Sequence, residues 1–562
     1  MFRKTKEIQQ LSLFSSNHTL LKGQALSIYE DNNEWHNQFR TQITERINEK
    51  IFSPLFKENF GAPNASIRVL IGMMILKEAR GWSDSQLFEE CRFNLLVRSA
   101  LCLPNFDDSI PAPSTYYLFR KRIVDRRKAD LGDLMKEVFK DITKSQILEF
   151  EINGNKIRLD SSLFGSNIAW YSRYELIHET LRIAYASVAD RVYKFLNESE
   201  LTILKDLSKE SGEKVSYRSN KSEIETKLTQ LGVIIFKIIS NTKEDTIPAI
   251  ETLRELFEQQ YEVIDGAVSP LPKEKIKATS IQSPHDPDCH YRTKGDQKIK
   301  GYSINVTETC NKDNKFNLIT DIIVTPASVS DTDFFIPAVE SSQEIIPQKI
   351  ETANSDGAYH SEENQYFCKE NNIDHVIGAI QGAPSRYDLS KDENGDLIVT
   401  DLETNTIIPS VKTKPRNVDS APSWKIKDHN QNPRYFTQKD IDACFLRKKI
   451  ASRTLEELNI RNNIEATIFQ LGYHTNNKKT RYRSLIKHEM WSISRVMWIN
   501  FVRLWQYIVN NNKNDQKIEQ IKVLNCLSLA NTSFNRIKMG FTEILVKIIN
   551  KQLYNLSYLS IN

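Results

Sequence analysis

Between residues 65 and 101 the apolar positions of ASIRVLIGMMILKEARGWSDSQLFEECRFNLLVRSAL recur every three or four residues, with a break at Gly81 and a restart at Ser83. That spacing lines one face of an α-helix, and serine is a residue type that caps a helix start, so the stretch predicts helix, turn, helix. After the loop LPNFDDSIPAP, Ser114 or Thr115 is expected to cap a further helix, TYYLFRKRIVDRRKADLGDLMKEVF. Near residue 147 the period shortens to two: in ILEFEINGNKIRLDSS alternating apolar residues flank Asn153-Gly154, a turn pair that predicts a hairpin with Asp160 ending its second strand. From about Tyr174 to Phe257 helical spacing returns. The strand pattern resumes at KGYSINVTETC (300–310) and FNLITDIIVTP (316–326), which read as a hairpin. Asp331 is then expected to cap DTDFFIPAVESS, ETANSDGAY to give a short strand with Asp356 near its end, Ser361 to open a helix, and DHVIGAI (374–380) to be a fifth strand.

The order β-β-β-α-β-α-β followed by a helix resembles an RNase H-like core, an α+β or α/β arrangement of a mixed five-stranded sheet with flanking helices. The expected division is a helical N-terminal DNA-binding domain over 1–145, the first part of the core over 146–173, a helical insertion over 174–285 and the second part of the core over 286–380. A smaller β-rich insertion follows over 381–440, marked by Pro384, Pro415, Pro422, Pro433 and a hairpin signal at Asn394-Gly395. Helices of the catalytic core occupy 441–510 and a helical tail 511–562. Trp491, Trp498 and Trp505, seven residues apart, are expected on one buried helix face.

With 562 residues, 40% of them hydrophobic, the chain has material for a large core and several units. A formal net charge of +4 is too small to imply a nucleic-acid partner by itself, so local clusters must carry that argument. Seven cysteines without a CxxC pair argue against a zinc ribbon and a disulfide framework. The start MFRKTKEIQQL has no apolar core, and apolar runs such as LIGMMIL are too short to span a bilayer, so a soluble, cytoplasmic protein is expected. No GxxxxGK[ST] or GxGxxG element suggests a nucleotide cofactor.

Three carboxylates have surroundings suited to phosphodiester chemistry: Asp160 in IRLD, Asp356 in ETANSDGAY and Glu465 in RNNIEATIFQLGY. Oxygen ligands converging from strand ends and a helix suit paired Mg²⁺ or Mn²⁺ ions, two per site. Gly357 is expected to let a DNA backbone approach closely. Basic residues gather in two places, Arg120, Lys121, Arg122, Arg126, Arg127 and Lys128 in one helix, and Arg461, Lys478, Lys479, Arg481, Arg483 and Lys487 around the last acid. Both clusters are candidate phosphate contacts. Tyr473, His474, Tyr482 and Trp491 interleave with the second and are candidates for stacking on DNA ends. The group His285, Asp286, Asp288, Cys289, His290 has metal-ligand residue types at too tight a spacing for a finger, and reads as a polar loop. Asp321, Asp331 and Asp333 fit structural roles better than catalysis.

These segments, in this order, resemble the DDE transposases of bacterial insertion sequences, the insertion sequence 1182 type within the broad insertion sequence 4/5-like group. The likeness is carried by RGWSDSQLFEECRFNLLVRSAL, STYYLFRKRI, LDSSLFGSNIAWYSRYELIHETL, SPHDPDCHYRTKGDQKIKGYSINVTETC, TPASVSDTDFF, SDGAYHSEEN and RNNIEATIFQLGYHTNNKKTRYRS. The resemblance implies a metal-binding triad on Asp160, Asp356 and Glu465, cleavage at transposon ends that exposes a 3′-hydroxyl, and attack of that hydroxyl on target DNA. It implies double-stranded DNA partners, namely terminal inverted repeats and target, and a homodimer or higher multimer on DNA. Where related enzymes show Tyr, Arg, Glu and Lys in the last motif, Arg461 and Glu465 match, but Leu458 and Gly472 replace the Tyr and the Lys. Lys478 or Arg481 is then expected to supply the missing phosphate contact. The alternatives are a catalytically inactive DNA-binding derivative, or an RNase H-like nuclease or resolvase.

Overall fold

The computed structural model describes residues 1–5, 19–57, 61–380, 382, 385–392, 395–413, 423–428 and 431–512. The part of the expected helical tail beyond residue 512, and Pro384, Asn394, Pro415 and Pro422 of the expected β-rich insertion, lie outside the described residues.

Helix ends follow local chemistry. Ser66 and Ser83 cap the helices Ile67–Arg80 and Asp84–Phe93, and Gly81 between them has φ 68°, a left-handed conformation that favours glycine. The next long helix, Pro113–Lys128, begins earlier than Ser114: Ala112 is its N-cap and Pro113 takes the first turn, where a missing N–H costs nothing. Ser330, not Asp331, caps the turn Asp331–Phe334.

The hairpin expected at Asn153-Gly154 does not form. Residues up to Glu149 belong to the helix Leu134–Glu149, which buries Leu134, Val138, Ile142 and Ile147 at helical spacing. Gly154 is small for a different reason: a Cβ there would meet Ile346 Cγ2 at 2.4 Å. The strand that follows, β1 (Lys156–Gly165), therefore has its partners elsewhere. A small hairpin, β2 (Tyr261–Ile264) and β3 (Ala267–Pro270), ends the run of helices between Arg173 and Gln260.

The central sheet joins β1 to β4 (His290–Lys294), β5 (Gln297–Thr309), β6 (Ile319–Pro326), β7 (Thr352–Ser355) and β8 (Asp374–Ile377). Strand β5 lies antiparallel between β1 and β6, while β7 and β8 run parallel to β1 on its other side. The sheet has six strands, not five, because β4 pairs with the first residues of the long β5.

Alternation sets the two faces. Ile157 and Leu159 join a core with Phe334, Phe335, Ile350 and Tyr359, while Phe164, Tyr302, Ile304 and Val306 face a larger core built from the N-terminal helices and the helix over 485–512. The N-terminal helices thus share one core with the sheet. Trp491 is buried in it, and Trp498 and Trp505 pack against it half-exposed. The described residues between 387 and 437 form two three-stranded antiparallel sheets around Trp424 and Val399. Among the described residues, no helix is long and apolar enough to cross a membrane.

Candidate active site

Arg158, Asp160, Ser162 and Phe164 share one face of β1, the face on the larger core. Asp160 sits mid-strand rather than at a strand end, because β1 continues in register with β5 as far as Gly165 opposite Gly301. Gly301 admits that approach, since a Cβ there would meet the Phe164 carbonyl oxygen at 2.0 Å. On the other side Arg158 pairs with Asn354 of β7, and two residues further along this parallel register Asp356 comes beside Asp160. Asp356 directly follows that strand and caps the turn Gly357–Tyr359, accepting from the Ala358 N–H. Gly357 is close-packed by the chain itself: a Cβ would meet the Ala379 carbonyl oxygen at 1.8 Å, so the fold by itself requires glycine there.

Burial pushes the Asp160 carboxyl above its ordinary range, Arg461 and the Ser161 N–H (2.8 Å) pull it back, and Asp356 pushes it up again. The two aspartates therefore feel each other's charge. The third acid, Glu465, lies in the first turn of the helix Ile464–Leu471, which buries Ile464, Thr467, Ile468 and Leu471 and leaves Glu465 exposed. Arg461 bridges the set: its Nη2 stands 3.6 Å from Asp160 Oδ2 and 3.9 Å from Glu465 Oε1. Among the described residues no three acids, histidines or cysteines already form a metal cage. The donor set nonetheless suits a hard cation, since it is all oxygen and a guanidinium already stands as positive charge between two of its members.

Of the basic residues near Glu465, Lys478 and Lys479 run alongside the end of β1. The backbone of Lys478 and Thr480 bonds to Gly165, which extends the sheet past β1, and Lys478 Nζ donates to Ser162 Oγ at 2.7 Å, on the face that carries Asp160. Burial lowers the Lys478 ammonium's pKa, Lys294 lowers it further, and Asp160 raises it. Lys479 donates to the Ile168 carbonyl and Arg483 to the Asn167 carbonyl. Arg481 is turned away from the acids, ion-paired with Glu78 at 3.0 Å and bonded to the Trp82 carbonyl.

The basic helix divides similarly. Arg127 pairs with Glu489, Arg122 stacks over Phe56, and Arg126 is half-buried. Arg120, Lys121 and Lys128 instead line a groove of about 1000 Å³ whose opposite wall holds Arg483 and Lys487. The fold thus joins the two basic clusters across one groove. The interleaved aromatics separate as well: Tyr473 is 58% exposed, while Tyr482 and Trp491 are buried, Tyr482 donating to Glu78. His474 packs against Gly81, where a Cβ would meet its ring.

The loop at 285–290 spreads its polar groups to separate partners. Asp286 is buried and accepts from Ser166 and Tyr302, His285 contacts Glu179, His290 contacts Ser328, and Cys289 is in the core. Asp321 pairs with Lys136, and Asp331 with Arg292. Among the buried acids that escaped the sequence reading is Glu308, which pairs with Arg158 and Arg503. Its signal was available, because it continues the inward row Tyr302, Ile304, Val306 of β5 with a charge.

Compared with known families, residues 27–122 match the family described as Transposase domain (DUF772), and residues 263–501 match the Transposase DDE domain. Together the two matches span more than half of the chain. The chain is a DDE-type transposase. The second match includes Asp356 and Glu465 but begins after β1, so Asp160 lies outside it. Transposases of this class generally use divalent metal ions. No curated protein matches the transposase. Among solved structures, a chain of "Cryo-EM structure of piggyBac transposase synaptic complex with hairpin DNA" overlaps 85% of the transposase and 75% of its own length at 9% identity. Its TM-score of 0.28 is too low for the overlap to bear on the fold.

Proposed function

We propose that this transposase, of the insertion sequence 1182 type, cleaves DNA strands at the ends of its element and joins the exposed 3′-hydroxyl to target DNA, using Asp160, Asp356 and Glu465. The single observation that carries the reading is the meeting of Asp160 and Asp356 on neighbouring parallel strands, with Arg461 linking Asp160 to Glu465. Strand order supports an RNase H-like core, with β1 central, β5 and β6 antiparallel to one side and β7 and β8 parallel to the other.

Two divalent ions, Mg²⁺ or Mn²⁺, held by the three carboxylates, would activate the attacking oxygen and stabilise the leaving one. The remaining work falls to the chain. Phosphate oxygens need fixed positive charge, and Lys478, anchored on Ser162 beside Asp160, is the better placed of the two residues considered for that contact, since Arg481 is committed to Glu78. Arg461, between Asp160 and Glu465, orients the two acids and offers a fixed positive charge to a phosphate at the site. The duplex runs along the groove between the basic helix and residues 483–487, where Lys121, Lys128 and Lys487 are exposed. Holding two ends for joining calls for a homodimer or higher multimer.

Purified protein should nick a labelled fragment carrying an element end in Mg²⁺ or Mn²⁺. Asp160→Asn keeps the size and removes the anion, and is expected to lower that rate by about a thousandfold or more. Full cleavage by this variant would remove Asp160 from the chemistry.

A further inference from the structure

A buried polar cluster lies next to the acids on the same sheet face. Glu308 is 0% exposed, opposite Arg158 on β5, at an irregularity in the β5–β6 pairing. Its Oε1 accepts from Arg158 Nε at 2.6 Å, and its Oε2 accepts from Arg503 Nη1 at 2.7 Å and from the Thr467 hydroxyl at 2.8 Å. Arg503 Nη2 also donates to Thr467 Oγ1 at 2.5 Å, and Arg158 Nη1 donates to the Ile460 carbonyl at 3.1 Å. The bonds from this cluster therefore land five residues before Glu465 and two residues after it.

We propose that Glu308 is a positioning residue for Glu465, fixing the height and rotation of the short helix Ile464–Leu471 on the sheet so that the Glu465 carboxylate stays beside Arg461 and Asp160. The inference rests on the reading of Glu465 as a metal ligand. Apolar packing alone would hold this helix while letting it slide or turn, and a buried ion cluster costs desolvation that apolar side chains of equal volume would not incur. Directional bonds on either side of Glu465, at Ile460 and Thr467, give a register that packing does not. Glu465 needs such help because it is exposed, with Arg461 3.9 Å away. Burial opposes ionisation of Glu308, but Arg503 and Arg158 outweigh it and hold the carboxyl below its usual range, so the cluster stays charged at neutral pH.

Glu308→Gln keeps the shape and removes the charge. In the full chain, Mn²⁺ binding by isothermal titration calorimetry and the Mn²⁺ concentration for half-maximal cleavage of a labelled end fragment are measured together, with thermal unfolding and duplex binding as controls. The variant is expected to bind Mn²⁺ about tenfold more weakly, with a matching rise in the half-maximal concentration and unchanged duplex binding. Thr467→Val, which removes the hydroxyl that bonds Glu308 and Arg503 but leaves the buried charges in place, should shift both in the same direction by less. A folded Glu308→Gln with parental Mn²⁺ affinity overturns the proposal. Should that variant fail to fold, parental Mn²⁺ affinity in Thr467→Val overturns it equally. Glu465→Gln run in parallel separates the two ideas: if it leaves Mn²⁺ binding and cleavage intact, the ligand assignment itself fails, whatever Glu308→Gln does.

Discussion

Asp160 is a carboxylate held against its preference, since burial and the neighbouring Asp356 both raise its pKa in the folded protein. The folded state therefore binds its proton more tightly than the unfolded chain, where the value is near 3.8. Stability falls as pH rises from that value through the raised one, and the cost is fully present above it. In metal-free buffer Asp160→Asn should thus unfold at a higher temperature than the parent at pH 7, and the gap should close below pH 3.8. Equal unfolding temperatures at pH 7 would mean that the carboxylate carries no such strain. The three acids proposed for the site stand out in the sequence because each combines a carboxylate with small or basic neighbours. Glu308 was not sought, because an acid inside an apolar strand row announces itself only when the alternation is followed to its end.

At the scale of elements, the basic helix Pro113–Lys128 and the start of the helix over 485–512 face each other across a groove, and each alone would be an ordinary solvated surface. If DNA lies between them, Lys121→Glu with Lys487→Glu should weaken duplex binding about tenfold at low salt. It should also reduce the slope of log affinity against log salt by about two, since each lost phosphate contact contributes about 0.9. Unchanged affinity and slope would place the duplex elsewhere. Six basic residues of that helix read alike in sequence, and folding separates them: Arg127 goes to Glu489 and Arg122 to Phe56, while Lys121 and Lys128 stay exposed. Caps read well at Ser83 and Ser361, where a side-chain oxygen meets a free N–H within a few residues. The hairpin at Asn153-Gly154 was misread because that glycine answers to Ile346, a contact almost two hundred residues away in sequence.

For the whole molecule, strand types were legible and their pairing was less so. The adjacency of β1 and β7 joins residues 156–158 to 352–354 across two helical regions and the antiparallel pairs β2–β3, β4–β5 and β5–β6, a contact set by the closed core and not by any local signal. The same closure merges the N-terminal helices into the core beneath the acids. All of the functional reading depends on that closure bringing Asp160, Asp356 and Glu465 to one cation site. Crystals of the protein with an element-end duplex, soaked in MnCl₂ and measured at the manganese absorption edge, test it directly. The account predicts anomalous density bounded by Asp160 and Asp356 with Glu465 at its edge and Arg461 swung clear; manganese bound elsewhere, with Arg461 still between Asp160 and Glu465, would contradict it.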